Sequence, residues 1–329
     1  MTPTLADILA ARRSIAGAAV RTPLVPSAVA PDLLLKLELA QPVGAFKLRG
    51  ALNAIAALPP GTPGVTCCST GNHGRAVAYA ARARALRAVV CMSSLVPEAK
   101  VAAIRALGAE VRITGRSQDE AALESARLAR DEGLAEIPPF DDALVIAGQG
   151  TIGLELVEDR PDLAAVLVPL SGGGLAAGVA LAVKAASPAT AVIGVSMDRG
   201  AAMHAAFAAG HPVPVEEVAS LADSLGGGLG PGNALTYALC RALLDDILLV
   251  SEAEIYRAMQ AHYWQDRLVT EGAAATPLAA ILSGRFTPRG PTALVLTGRN
   301  TDMTQFTRVA TGQPVTLGTL TLEGSAHAP

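Results

Sequence analysis

Residues 41–50 read Gln-Pro-Val-Gly-Ala-Phe-Lys-Leu-Arg-Gly, and this stretch places Lys47 directly after an aromatic residue at a predicted helix start. The 26 basic residues of the chain include only four lysines, Lys36, Lys47, Lys100 and Lys184, so 22 are arginines. Arginine stays protonated, whereas a partly buried lysine can lose its proton and form a Schiff base. The stretch therefore predicts either a reactive lysine or an ordinary first-turn lysine with its amine in water.

The composition of the 329-residue chain excludes several classes of protein. It is 51% apolar, 17% charged and 3% aromatic, which is typical of a globular chain. A formal net charge of -3, with no basic stripe, argues against a nucleic-acid partner. The apolar stretches are too short to span a bilayer and the N-terminus lacks a signal-peptide pattern, so we expect no membrane association.

The four cysteines are the remaining guide to the compartment. They are Cys67, Cys68, Cys91 and Cys240, and they show neither CxxC nor Cys/His metal spacing. Free thiols of this kind are typical of a reducing compartment. We therefore predict a cytoplasmic protein without structural zinc.

Two series of alternating strands and helices follow the lysine stretch. The predicted strands lie at 65–68, 88–92, 110–114, 164–170, 191–195, 247–250 and 293–296. Alternation of this kind is typical of parallel sheets covered by helices on both faces. The predicted fold class is α/β, with two doubly wound parallel-sheet lobes, and one predicted helix of the second lobe covers 150–157.

The order of the two series predicts one lobe inserted into the other. We assign 1–62 and 142–329 to the large domain, 63–141 to the small domain, and 312–329 to a flexible tail. Ligands of such sheets bind outside the carboxyl ends of the strands. An active-site cleft is therefore expected between the lobes.

The segment between the first strand and helix of the small lobe reads Ser69-Thr-Gly-Asn-His-Gly74. Hydroxyls and free N–H groups at a helix N-terminus form an anion site suited to a carboxylate. Asn72 adds an amide that can hold a phenolic oxygen. The same residue types also form an ordinary capped turn, so the segment alone leaves both interpretations open.

A glycine-rich turn, Ser171-Gly-Gly-Gly-Leu175, joins a buried strand to a helix. Consecutive glycines let backbone N–H groups curl around a phosphate without Cβ clashes. The turn lacks the ending of a P-loop and the spacing of a dinucleotide turn, and Val195-Ser196 stands where a ribose-binding acid would be expected. It predicts a phosphate site without indicating a nucleotide, and a plain tight turn is the alternative.

The segment Thr297-Gly-Arg-Asn300 follows the last predicted strand. Its hydroxyl is expected to face the cleft, where it can bond to a ring nitrogen, although alone the segment is an ordinary turn. A phosphate site, a lysine amine, a carboxylate site and a hydroxyl at strand ends together suit pyridoxal phosphate and an amino acid.

With these segments the chain resembles the fold-type II pyridoxal-phosphate enzymes of the serine/threonine dehydratase family, whose fold is like that of tryptophan synthase β. The family motifs S-F-K-x-R-G-A, S-x-G-N-H-[AG], G-G-G-[LM] and S-G-x-N correspond to 45–51, 69–74, 172–175 and 297–300. The likeness runs from the N-terminal helix to about Val309. Within the family, 194–203 and 296–302 are most similar to the dehydratases of hydroxyectoine utilisation.

The resemblance implies a role for each matching residue. Lys47 is the Schiff-base lysine and the proton-transfer base. Apart from the motifs, Glu271, just before Gly272, is expected to approach the cofactor. The cofactor contacts are Phe46 on the ring, Asn72 on the ring oxygen, Thr297 on the ring nitrogen, and Gly172, Gly173, Gly174 and Leu175 on the phosphate. The substrate contacts are Ser69, Thr70, Gly71, Asn72 and His73, with Thr70 as a second candidate catalytic residue.

Three departures from the family pattern carry consequences. Ala45 replaces a serine, which removes one hydroxyl. Thr70 stands where racemases carry a serine, and because a β-branched side chain is stiffer, racemisation is not expected. A stimulatory metal site needs acidic residues where this chain has Ser196, Gly200 and Ala202, so no metal is expected.

The implied reaction is the α,β-elimination, by dehydration and deamination, of a small β-hydroxy amino acid, with a place in hydroxyectoine degradation. A homodimer is the family expectation. Two alternatives stay open: β-replacement, as in relatives of cysteine synthase, and a nicotinamide-dependent oxidoreductase that uses the glycine turn.

Overall fold

The computed structural model describes residues 1–69, 71–94, 96, 98–116, 118–230 and 232–326, without the side chains of 99, 118 and 119. Its helices are α1 (Leu5–Ser14), α2 (Lys47–Ala56), α3 (Asn72–Ala83), α4 (Glu98–Arg105), α5 (Gln118–Glu132), α6 (Ala143–Asp159), α7 (Gly174–Ala186), α8 (Ala202–Ala209), α9 (Thr236–Leu243), α10 (Glu252–Trp264), α11 (Gly272–Leu282) and α12 (Met303–Ala310). Its strands are β1 (Leu24–Pro26), β2 (Leu33–Lys36), β3 (Gly64–Cys68), β4 (Arg87–Met92), β5 (Glu110–Ile113), β6 (Ala135–Glu136), β7 (Ala165–Pro169), β8 (Ala191–Met197), β9 (Asp246–Val250), β10 (Thr292–Val295), β11 (Val315–Leu317) and β12 (Leu320–Leu322).

Two mainly parallel sheets organise these elements. The larger has the order β1-β2-β10-β7-β8-β9, in which only the edge strand β1 runs antiparallel to its neighbour. The smaller has the order β5-β4-β3-β6 and is parallel throughout. The predicted α/β class with parallel sheets is confirmed. All strands of the smaller sheet fall between β2 and β7 in the sequence.

Helices cover both faces of the larger sheet because its central strands are apolar on both sides. Along β7, Ala165 and Leu167 contribute to one buried cluster, while Val166 and Val168 contribute to the other. Successive side chains of a strand point to opposite faces, so a fully apolar strand needs a helical layer on each face. This arrangement leaves the strand ends as the place for polar side chains.

Helix α6 is longer than the predicted 150–157. It begins after Asp142, whose carboxylate accepts hydrogen bonds from the N–H groups of Leu144 and Val145, each at 2.9 Å. Its internal glycines are packing positions. A Cβ on Gly148 would lie 2.6 Å from the Arg49 carbonyl oxygen. The close approach of α6 to α2 therefore depends on glycine and does not break the helix.

The segment after residue 312 departs from the expected irregular tail. Strands β11 and β12 pair as an antiparallel hairpin. Val315, Leu317 and Leu322 are buried against the core of the larger sheet. These three side chains alternate with polar threonines, a period-two pattern too short to recognise amid the surrounding Thr and Gly residues. The description ends at residue 326.

A buried ion network lies between β2, α2 and α6, and consists of Lys36, Glu38, Arg49 and Glu155. Arg49 donates to Glu38 at 2.7 and 2.8 Å and to Glu155 at 2.6 and 2.9 Å. The Lys36 amine is 2.6 Å from Glu155. The motif arginine that follows Lys47 is therefore held inside the protein, where it joins α2 to β2 and α6.

Candidate active site

A cleft of about 530 Å³ opens at the carboxyl ends of β3, β7 and β10, between the two sheets. The predicted site residues that line it are Phe46, Lys47, Ser69, Gly71, Asn72, His73, Gly172, Gly173, Gly174, Leu175 and Thr297. Thr70, the remaining predicted site residue, lies outside the described residues. Three of the four segments follow the carboxyl ends of parallel strands, β3 of the smaller sheet and β7 and β10 of the larger, and the fourth opens α2.

Lys47 opens α2 and sends its side chain into this cleft. The amine donates a hydrogen bond to the Pro139 carbonyl oxygen at 2.5 Å and lies 5.4 Å from the centre of the Phe46 ring. Burial lowers the pKa of the amine to about 8, against the opposing attraction of Glu271. A substantial fraction is therefore neutral near physiological pH, which a nucleophile requires.

The lysine segment is hydrogen-bonded to the loop after β10. The Phe46 N–H donates to the Thr297 carbonyl oxygen at 2.9 Å, and the Arg299 N–H donates to the Gly44 carbonyl oxygen at 3.0 Å. Gly44 has φ +75°, a conformation that favours glycine. These bonds place the Lys47 amine and the Thr297 hydroxyl in the same cleft.

The glycine turn packs directly on Phe140. A Cβ on Gly172 would lie 2.3 Å from the Phe140 ring, and one on Gly174 would lie 2.8 Å from its carbonyl oxygen. Gly173 has φ +89° and precedes α7 without a side-chain cap. Uncapped N–H groups at a helix start can bind an anion. Phe140 belongs to none of the sequence motifs, and no local pattern marks it as a site residue.

A chain of polar side chains fixes the amide of Asn72. The Asn300 Nδ2 group donates to Asn72 Oδ1 at 2.7 Å, and Asn72 Nδ2 donates to Glu271, 3.0 Å from each carboxylate oxygen. Ser224 also donates to Glu271, at 3.4 Å. Burial raises the pKa of Glu271 to about 7, although the Asn72 hydrogen bond opposes this. The expected position of Glu271 beside the cofactor site agrees with this geometry.

The start of α3 presents the predicted carboxylate site. The Ser69 hydroxyl accepts a hydrogen bond from the Gly71 N–H at 3.3 Å, and no side chain caps the helix. His73 is buried, and its Nε2 group donates to the Ile137 carbonyl oxygen at 2.8 Å. Burial first, and Lys47 second, lower the pKa of His73 to about 3. The imidazole is therefore neutral, and any polar contact it makes with a substrate is uncharged.

These residues fit pyridoxal phosphate. The glycine turn cannot carry side chains, and it leaves backbone donors open to the cleft. Thr297 is buried, with 3% of its surface exposed, and it lines the cleft. A phosphate and a ring nitrogen would occupy such positions.

The described residues show neither a metal-ligand cluster nor a membrane-spanning helix. Over the described ranges, no group of three or more His, Cys, Asp and Glu residues is placed to hold a metal ion. Within the same ranges, no helix combines the length and apolarity needed to cross a bilayer.

Comparison with known proteins agrees with this geometry. Residues 15–298 match the model of the family described as pyridoxal-phosphate dependent enzymes. A Sinorhizobium fredii protein, provisionally named a threonine dehydratase, is 55% identical over 94% of this chain and 96% of its own length. The catabolic L-threonine dehydratase TdcB of Escherichia coli K12 is 37% identical over 92% of this chain and 94% of its own.

A solved structure extends the likeness to three dimensions. Maize serine racemase superposes with a TM-score of 0.88 at 32% identity, covering 94% of this chain and 97% of its own. The family match argues against the nicotinamide-dependent alternative. The phosphate of pyridoxal phosphate accounts for the glycine turn, so no dinucleotide is needed to explain it. The chain therefore belongs to the pyridoxal-phosphate dependent enzyme family, with pyridoxal phosphate as its cofactor, and it is an ammonia-lyase of that family.

Proposed function

We propose that this protein dehydrates and deaminates a small β-hydroxy amino acid, releasing ammonia and a keto acid. The observation that carries the proposal is the partly neutral Lys47 amine in the same cleft as the glycine turn. The relatives named as threonine dehydratases support a β-hydroxylated substrate.

The cleft residues have separate roles in cofactor binding and proton transfer. When bound, pyridoxal phosphate supplies an aldehyde that captures amines and a ring that accepts electrons from the α-carbon. Gly172, Gly173 and Gly174 would hold its phosphate through backbone N–H groups, while Asn72 and Thr297 would fix the ring. The Lys47 amine would bind the aldehyde, and the same amine would serve as the base for the α-proton.

The substrate is oriented by the start of α3. Its carboxylate would accept hydrogen bonds from the uncapped N–H groups there, beside Ser69, Gly71 and the neutral His73. Helix N-termini favour anions, whereas a neutral imidazole adds a contact without a competing charge. Loss of the β-hydroxyl then completes the elimination.

The direct test is ammonia and keto-acid release from serine, threonine and 3-hydroxy-2,4-diaminobutyrate, with and without sulfide. We expect ammonia from at least one of them and no sulfide-dependent product. A thioether or thiol amino acid formed only with sulfide would instead establish β-replacement. The absence of ammonia from every β-hydroxy amino acid would overturn the proposal.

We also propose the narrower role in hydroxyectoine utilisation, which rests on the likeness of 194–203 and 296–302 to those dehydratases. Residues 194–203 cover most of β8 and the start of α8, and 296–302 follow β10 into the cleft wall. Removing the gene should stop growth on hydroxyectoine while growth on threonine continues. Unimpaired growth on hydroxyectoine would refute this role.

The proposed setting is a cytoplasmic homodimer. The dimer follows the family, and the cytoplasm fits four cysteines that show no metal-ligand spacing in the sequence. Light scattering should give twice the chain mass of 33.3 kDa. A monomer in solution, or recovery of the protein outside the cytosolic fraction, would contradict the respective part.

A further inference from the structure

Among the described residues that line the cleft, Arg75 is a half-buried cation with no role in the proposed cofactor site. This residue lies on α3, one turn after Asn72, and lines the same cleft. Its guanidinium is half-buried, yet among the described residues it has neither an ion pair nor a hydrogen bond. Burial lowers its pKa, and only Glu271 opposes this effect. A partly desolvated, unpaired guanidinium in a ligand cleft needs an anion from the ligand.

The acidic side chains of the cleft are engaged elsewhere or exposed. Glu271 already accepts hydrogen bonds from Asn72 and Ser224. Asp223 pairs with Lys100 at 3.3 Å, and Asp302 caps α12. The remaining one, Glu217, is exposed to solvent. The protein therefore leaves Arg75 without a carboxylate of its own.

The other cleft cations have separate explanations. Lys47 is the amine that binds the cofactor aldehyde, Lys100 has Asp223, and Arg299 is exposed. The phosphate and the substrate α-carboxylate are served by the N–H groups that open α7 and α3. Arg75 is the half-buried cation that these explanations leave over, and it lies on α3, the helix whose N-terminus is proposed to bind the substrate carboxylate.

We propose that Arg75 binds an acidic group on the substrate side chain, so that the preferred substrate is a β-hydroxy amino acid with a side-chain carboxylate. The smallest amino acid of this class is 3-hydroxyaspartate. Guanidinium and carboxylate match as a bidentate pair, which fixes orientation as well as charge. A side chain ending in an amine would be repelled. This inference rests on the proposed function and specifies its substrate.

The test compares kcat/KM for 3-hydroxyaspartate and serine in the wild-type holoenzyme and in Arg75→Gln. The wild type should prefer 3-hydroxyaspartate, and the substitution should lower the ratio of the two values about 30- to 100-fold, as expected for losing a partly buried charged contact. Arg82→Gln, on the same helix but outside the cleft, is the matched control and should keep the ratio. Arg75→Lys should restore part of it.

A binding measurement separates recognition from catalysis. The dissociation constants of aspartate and alanine, which lack the β-hydroxyl, can be read from changes in the visible absorbance of the bound cofactor. Aspartate should bind more tightly than alanine, and Arg75→Gln should remove the difference.

Two results would overturn the inference while leaving the proposed function intact. One is a wild type that prefers serine or 3-hydroxy-2,4-diaminobutyrate. The other is an Arg75→Gln variant that loses the same factor for serine and 3-hydroxyaspartate, which would assign Arg75 to the α-carboxylate shared by both. Failure of the proposed function is distinct, because no β-hydroxy amino acid would then release ammonia.

Discussion

Lys36 and Lys47 are eleven positions apart in sequence and lie in opposite electrostatic surroundings. The Lys36 amine is fully buried and contacts both the Glu155 carboxylate and the Thr22 carbonyl oxygen at 2.6 Å. The Lys47 amine has the Pro139 carbonyl oxygen as its hydrogen-bond partner, with no carboxylate in contact among the described residues. The charge of Lys36 is balanced by a carboxylate of the protein, whereas the Lys47 amine is available to a ligand.

The same contrast extends to the neighbouring charges. In the buried ion network, Lys36 and Arg49 are matched by Glu38 and Glu155. Burial alone would raise the pKa of Glu38, but Arg49 holds it below its usual value. In the cleft, Glu271 is the carboxylate that opposes the lowered pKa values of Lys47 and Arg75, and it accepts its hydrogen bonds from Asn72 and Ser224. A lysine inside the protein is therefore structural when a carboxylate balances its charge, and reactive when no carboxylate contacts its amine.

The largest predicted effect comes from Lys47→Ala. Ammonia release should fall by about 10³-fold or more, because the variant lacks both the cofactor tether and the proton-transfer base. The visible absorbance of the lysine-bound cofactor should disappear as well. An unchanged absorbance band would contradict the role given to Lys47.

Substitution of Lys36, the structural lysine, is the matched counterpart of Lys47→Ala. In Lys36→Met, the Glu155 carboxylate loses one of its two cationic partners, and breaking a buried pair costs about 3–5 kcal/mol. The unfolding midpoint should therefore fall, while the cofactor absorbance at low temperature stays. Loss of that absorbance from a folded Lys36→Met protein would make the contrast between the two lysines untenable.

The next effect concerns the glycine turn of the cleft. In Gly172→Ala, the new methyl group would meet the Phe140 ring at 2.3 Å. Overpacking of this kind costs about 1–3 kcal/mol, which should appear as weaker cofactor binding in a titration of the apoenzyme. Gly228→Ala is the control, because its nearest neighbour would be a backbone nitrogen at 3.9 Å. Equal affinities in the two variants would show that the turn does not hold the phosphate.

The smallest effect is a pH dependence. The pKa of Lys47 is lowered to about 8, so its neutral fraction should rise about tenfold per pH unit below that value and then level off. The rate of cofactor capture by the apoenzyme should follow this curve. Glu271→Gln should move the plateau to lower pH, since Glu271 raises the pKa of the amine. A rate that still climbs beyond about pH 9.5 would mean an ordinary lysine.

Much of the fold and the position of the cleft could be predicted from the sequence. Strand–helix alternation predicted the parallel sheets, and the ends of β3, β7 and β10 predicted where Ser69, Gly172 and Thr297 would meet. These predictions depend on local patterns and on the geometry of parallel strands. They need no knowledge of distant side-chain contacts.

The parts that could not be predicted depend on contacts between distant segments. Phe140 packs under the glycine turn, and Asn300 reaches both Val43 and Asn72. The pairing of Lys36 with Glu155 joins positions 119 residues apart. No local pattern marks such partners, because their role arises only when the sheets and helices are assembled.

The central claim is that Lys47, among the four lysines, carries the cofactor. Borohydride reduction of the holoenzyme, followed by peptide mass spectrometry, tests it most directly, since reduction makes the lysine–cofactor bond permanent. The phosphopyridoxyl mass should appear on the peptide that contains Lys47. The same mass on Lys36, Lys100 or Lys184, with Lys47 unmodified, would contradict it.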